Sequence, residues 1–225
     1  MSSKKIKIVV AVTWICILAI VTIILGWDNW LNWLIFLSVT FGLLVNAFSA
    51  EGRWICYIFS IISYAIYIPF CIVANVHGEL AVSFLVIFAN FITLFKWRKN
   101  TKNKSVTINK LSFKENAICV CVAIVLTIAL GFVFMAMETP FPFLNSICVV
   151  AIVIGFWFEY RISRSQFVSM VVNATAYLTL WLLHAIQGGD LGFLLFTIGG
   201  IATLGYSLYG LIRWGRLYKE QTFPN

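Results

Sequence analysis

The stretch RISRSQFVSMVVNATAYLTLWLLHAIQGGD, residues 161–190, decides the fold. It opens on Arg161 and Arg164, runs through 165–187 with no Lys, Arg, Asp or Glu, and closes on Gly188, Gly189 and Asp190. A run of about 20 mostly apolar residues is what a helix needs to cross a bilayer. In hydrocarbon, backbone N–H and C=O groups must pair within their own segment, so such a run is helical. Its ends differ in sign. Lys and Arg are retained on the cytoplasmic side, which puts the arginine end inside and the Asp190 end outside.

Working outward, equivalent runs lie at 8–26, 30–50, 53–76, 79–97, 116–137, 141–160 and 190–213, and with 165–187 they make eight expected spans. The breakers are Gly26 with Asp28, Glu51-Gly52, His77-Gly78, Thr139-Pro140 and Gly188-Gly189-Asp190. Charge tests this count. With the N-terminus inside, the inner segments hold Lys4, Lys5 and Lys7, then Arg53, seven residues from Lys96 to Lys114, Arg161 and Arg164, and finally Arg213, Arg216 and Lys219. These are all 16 Lys and Arg residues of the chain. The outer loops hold only Asp28, His77, Glu79, Glu138 and Asp190. A wrong span count would scramble this alternation, so both ends are expected in the cytoplasm of a bacterial-type cell membrane. Residues 8–26 either span or lie on the inner face; Lys4, Lys5 and Lys7 before an apolar run suggest a signal peptide, but no small-residue cleavage site follows.

Composition agrees. The 225 residues are 62% hydrophobic and 11% charged, against roughly 25% charged in a soluble domain, so lipid is the solvent. The net charge of +8 is spread between apolar runs rather than gathered on a basic face, which argues against nucleic acid. Six cysteines sit inside apolar runs without C-x-x-C spacing, as small buried hydrophobes. No Walker loop, H-E-x-x-H or G-x-S-x-G is present, so no enzyme, metal or cofactor is expected. The linker at 98–115 is polar and basic and reads as a solvated loop.

Sliding the chain on itself by 113 positions pairs Asn32 with Asn145, Gly42 with Gly155, Tyr64 with Tyr177 and Trp54 with Phe167. A small shift pairs Gly78-Glu79-Leu80 with Gly189-Asp190-Leu191 and Trp97 with Trp214. Residues 30–97 are then a first three-helix repeat, 116–137 a connector helix and 141–214 a second repeat, with 8–26 an extra helix and 215–225 a tail. Three spans plus a connector make an even step, so the repeats are parallel, as in the SWEET sugar-transporter fold. Parallel triplets leave a cavity near the bilayer midplane, and polar residues at that depth are the candidates: Ser60, Ser63, Tyr64, Asn90, Asn173, Thr175, Tyr177 and His184, with Trp54 and Trp181 as aromatic walls. The bland reading of each is a hydrogen bond between helices. Trp27, Trp30, Trp33 and Trp97 fit an interfacial belt. Glu159, beside Arg161, reads as a surface ion pair, and His184 as a helix-end residue with a proton relay as the secondary reading.

The closing stretch Tyr206-Ser207-Leu208-Tyr209-Gly210-Leu211-Ile212-Arg213-Trp214 is similar to the Ser-x-Tyr-Gly-x-x-x-Trp of the PnuC vitamin transporters. Gly78-Glu79-Leu80, Pro142-Phe143-Leu144-Asn145-Ser146 and Asn90, where that family has a Gln, add to the resemblance, which covers about 30–216. Its signature Glu-x-Trp-x-x-Trp-x-x-x-Asn is altered: Phe167 and Met170 stand for the tryptophans, and Asn173 comes one position early. The resemblance implies a facilitative importer of nicotinamide riboside. Tyr64, Asn90, Asn173, Tyr177, Trp181, Trp54, Phe167 and Ser207 would line its site. Thiamine or riboflavin carriage and a non-transporting accessory subunit are the alternatives, and homo-oligomerisation stays open.

Overall fold

Each apolar run folds as a helix and stops where the sequence supplies a break. The computed structural model describes residues 3–26, 28–73, 77–102, 105–187 and 193–222. Among these, eight α-helices follow in order: α1 (Ser3–Gly26), α2 (Trp30–Ala50), α3 (Cys56–Val73), α4 (His77–Lys99), α5 (Phe113–Ala136), α6 (Pro142–Tyr160), α7 (Ser165–Ile186) and α8 (Phe193–Thr222). Seven are long and apolar enough to cross a membrane. The eighth, α4, is diluted by Glu79 in its first turn and Lys96, Arg98 and Lys99 in its last. The boundary at Gly188-Gly189-Asp190 and the belt reading of Trp27 lie outside the described residues.

Six helices close a ring. Going round it, α2 packs on α3, α3 on α4, α4 on α6, α6 on α7, α7 on α8, and α8 back on α2. Two helices stand outside: α1 against α2 and α8, and α5 against α6. Their outer faces expose large apolar side chains, with Ile24 and Val125 at 75% and 65% exposure, as does the outer face of α4. That is the surface lipid covers at no hydrophobic cost. The expectation of buried cysteines fails on these two helices for the same reason: Cys16 and Cys121 are exposed, while Cys56, Cys71 and Cys148 are buried in ring helices.

The turns after α2 and α6 are built alike. After α2, Gly52 takes a left-handed φ of 67°, its N–H donates to Ser49 O at 2.9 Å and Arg53 N–H to Phe48 O at 3.0 Å. This pair of bonds is the Schellman ending. After α6, Ile162 takes φ 54°, donating to Glu159 O at 2.9 Å, and Ser163 donates to Phe158 O at 2.9 Å. A β-branched residue is strained there, and Ile162 is held by burying all but 1% of its surface.

The 98–115 linker is not a plain solvated loop. Residues Thr101–Lys102 (β1) and Ser105–Val106 (β2) form a short antiparallel ribbon, and Val106, Ile108 and Leu111 are buried at 1%, 6% and 6% exposure. Val106 N–H donates to Gly52 O at 3.0 Å and Asn109 N–H to Ile162 O at 2.9 Å. One segment thus ties the two turns together. The last turns of α8, which runs past the expected end near 213, clamp it further: Gln221 Oε1 accepts from Ile108 N–H and Gln221 Nε2 donates to Val106 O, both at 3.0 Å. Three apolar side chains in a basic stretch were enough to draw it under the bundle.

Candidate functional site

The ring encloses a cavity of about 270 Å³, lined from α2, α3, α4, α6, α7 and α8. It extends along α6 from Asn145 to Glu159, about 21 Å at the helical rise. Small residues leave the space: Gly42, Ala151, Gly155, Ala174 and Gly199 all lie on its wall. Four tyrosines face it, Tyr57, Tyr64 and Tyr67 from α3 and Tyr177 from α7. Asn46, Asn90, Asn145 and Asn173 reach it from four different helices.

Several polar groups are spoken for. Ser63 Oγ donates to Ser38 O at 2.8 Å and joins α3 to α2. Asn90 Nδ2 donates to Ser60 Oγ at 2.7 Å and joins α4 to α3. Asn46 Nδ2 donates to Thr203 Oγ1 at 3.1 Å and joins α2 to α8. The buried Tyr57 and Tyr67 hydroxyls have Glu159 and Cys71 close by, while Asn173 Oδ1 is buried with no hydrogen-bond partner among the described residues. Buried polar atoms are rarely left so.

Of the residues expected from sequence, Tyr64, Asn90, Asn173 and Tyr177, with Ser60 and Ser63, come together on this wall. The other six do not line it. Trp181 stacks on Phe196 with centroids 4.7 Å apart and touches Tyr177 at 5.6 Å, backing two wall residues without lining the cavity. Phe167 packs edge-on to Trp214 at 5.2 Å, below the floor. Trp54 lies under the Arg98 guanidinium at 5.7 Å, and Ser207 Oγ bonds Thr203 O of its own helix at 2.8 Å. Thr175 is exposed and bonds Val171 O at 2.8 Å. His184 sits among the rings of Phe141, Trp181 and Phe193 rather than on the wall. Trp97 departs from the belt reading altogether. It is fully buried, with Nε1 donating to Glu159 O at 2.8 Å, while Trp214 Nε1 donates to Ser49 O at 3.1 Å. The two tryptophans close this end of the ring reciprocally.

The surface-pair reading of Glu159 also falls. Its carboxylate lines the cavity, and Arg161 pairs with Glu115 at 2.9 Å. Residues two apart on a helix do not face each other, so Arg161 was never placed to meet Glu159. Glu79 is the second carboxylate on the wall, and among the described residues no Lys, Arg or His lines it. The nearby cations are turned outward onto rings: Lys96 Nζ lies 3.4 Å from the Tyr160 centroid and the Arg161 guanidinium 5.6 Å from that of Trp157. Met170 lines the cavity too, a flexible apolar side chain.

Comparison with known proteins supports the geometry. A solved structure described as a crystal structure of the vitamin B3 transporter PnuC superposes with a TM-score of 0.79, at 21% identity, over 96% of this chain and 92% of that one. It shares the fold. No curated protein matches. A family model described as nicotinamide mononucleotide transporter matches residues 32–216, which takes in most or all of each ring helix and α5. An integral membrane bundle with a polar, ring-lined chamber at its centre is what carriage of a small solute requires, and the chain belongs to the nicotinamide mononucleotide transporter family.

Proposed function

We propose that the chain imports nicotinamide riboside by facilitated diffusion, binding it between two parallel three-helix repeats that rock against each other. The observation that carries this reading is one chamber on which Tyr64 and Tyr177 meet Asn90 and Asn173. A flat pyridinium ring is attracted to aromatic faces. A carboxamide both donates and accepts, as Asn side chains do. The solved neighbour is described as a vitamin B3 transporter, and its cargo class fits this wall. The riboside suits it better than the mononucleotide, because among the described residues no lining Lys or Arg is there to receive a phosphate. At about 270 Å³ the chamber sits at the small end of ligand pockets, roughly 300–1,000 Å³, which disfavours a three-ring solute such as riboflavin.

The repeats would be α2–α4 and α6–α8, with α5 as connector and α1 an added spanning helix. Three features support them: the matching turns at Gly52 and Ile162, the reciprocal bonds of Trp97 and Trp214, and the edge-on pairs Tyr57–Trp97 and Phe167–Trp214. In these turns the pairing follows an offset of 110, not 113, so Tyr57 is the counterpart of Phe167 and Trp54 that of Arg164. Both termini would be cytoplasmic, as the placement of Lys and Arg argues. The test is uptake of labelled nicotinamide riboside by the protein in liposomes, with the mononucleotide, thiamine and riboflavin as competitors. Saturable uptake without an ion gradient, blocked by unlabelled riboside but not by the mononucleotide, is expected. No saturable uptake refutes the reading.

A further inference from the structure

Glu159 ends the wall at the inner side, on the last turn of α6. Among the described residues no Lys, Arg or His lies within ion-pair distance of its carboxylate. Arg161 is held by Glu115, Lys96 by the Tyr160 ring, and Arg98 and Arg53 by Trp54 and Phe48. Beside it stands the Tyr57 hydroxyl, in a residue only 3% exposed, close enough to interact with the Glu159 carboxylate. Glu79 stands at the other end of the same cavity, in the first turn of α4, with no ion-pair partner among the described residues. Along α4, Glu79 and Trp97, which touches Glu159 O, are about 27 Å apart at the helical rise. A nucleoside-sized solute can meet one carboxylate at a time.

We infer that Glu159, with the Tyr57 hydroxyl, is the inner station of a cation-selective path whose outer station is Glu79, so that this carrier chooses its solute by a positive charge as well as by shape. The inference rests on the riboside reading and deepens it. Intramembrane carboxylates are costly and are kept where they meet a pathway. A carboxylate facing a low-dielectric chamber with no fixed counter-ion gains most from a mobile one. A hydroxyl that can donate to the carboxylate or to a ribose oxygen completes the station. The expected ligand is a planar organic monocation of nucleoside size; an equally large neutral ring lacks the attraction, and a phosphorylated one is repelled at both ends.

The experiment compares two solutes that differ in little but charge: nicotinamide riboside, whose ring is cationic, and its dihydro form, whose ring is neutral. Both are offered to the full chain in liposomes, as wild type and as Glu159→Gln, Glu159→Asp and Tyr57→Phe. Wild type should prefer the cation by about tenfold or more. Glu159→Gln should remove most of that preference while the neutral form still enters, and Glu159→Asp should keep part of it. Tyr57→Phe should weaken the half-saturation for both forms about threefold, since it loses a hydrogen bond worth roughly 0.5–1.5 kcal/mol. If wild type carries both forms equally, or if Glu159→Gln keeps the full preference, charge selection by Glu159 is wrong while the riboside reading stands. If Glu159→Gln does not fold, Glu159→Asp decides, because an unchanged preference together with an unchanged half-saturation overturns the assignment. Should wild type carry neither form, the riboside reading itself is lost and this inference with it.

Discussion

One end of the bundle is closed by a reciprocal exchange: α4 sends Trp97 to Glu159 O of α6, and α8 sends Trp214 to Ser49 O of α2, at 2.8 and 3.1 Å. Replacing either tryptophan with phenylalanine keeps a ring and removes the N–H. Neither carbonyl is orphaned, because Ile162 N–H still donates to Glu159 O and Gly52 N–H to Ser49 O. The loss is therefore the net bond, roughly 0.5–1.5 kcal/mol, plus about 1 kcal/mol for the void left by the smaller ring. At about 2 kcal/mol, a chain of this size should melt roughly 4–8 °C lower. The two rings also touch, at 5.5 Å between centroids, so the double variant should depart from additivity, as contacting residues do. Thermal unfolding in one detergent, followed by near-UV circular dichroism and corrected for the lost indole, measures this. Both single variants melting within about 2 °C of wild type would refute the idea that these bonds hold the seam.

Two further outcomes follow from the same end of the molecule. Gly210 faces the Phe167 ring so closely that an added Cβ would overlap it; Gly210→Ala should push Phe167 off Trp214 and destabilise by about 1–3 kcal/mol, read as a lower melting temperature, whereas Gly205→Ala, which meets open space, should leave it unchanged or slightly raised. Gln221→Ala removes both amide bonds to the backbone of 106–108; the 98–112 segment should then be cut by trypsin several-fold faster in detergent, because nicking follows local opening, while the bundle's melting temperature moves little.

The sequence alone determined the solvent, the number and order of the helices, and which ends carry charge, because those depend on the length and composition of single segments. It also brought Tyr64, Asn90, Asn173 and Tyr177 forward, since polar residues in the middle of an apolar run are conspicuous wherever they point. Which of them share a void was a matter of helix rotation and packing. Trp181 and Ser207 have the same chemistry as wall residues, yet Trp181 stacks on Phe196 of α8 and Ser207 bonds back to its own helix. Glu159 shows the point most sharply. Proximity in sequence joined it to Arg161, while the 100° turn per residue sent the two side chains to different surroundings, one to the chamber and one to Glu115. The burial of Trp97 and the docking of Val106 and Ile108 were decided by contacts between segments far apart in the chain. A hydropathy profile records how apolar a residue's own segment is, and only the assembled bundle determines what stands opposite it.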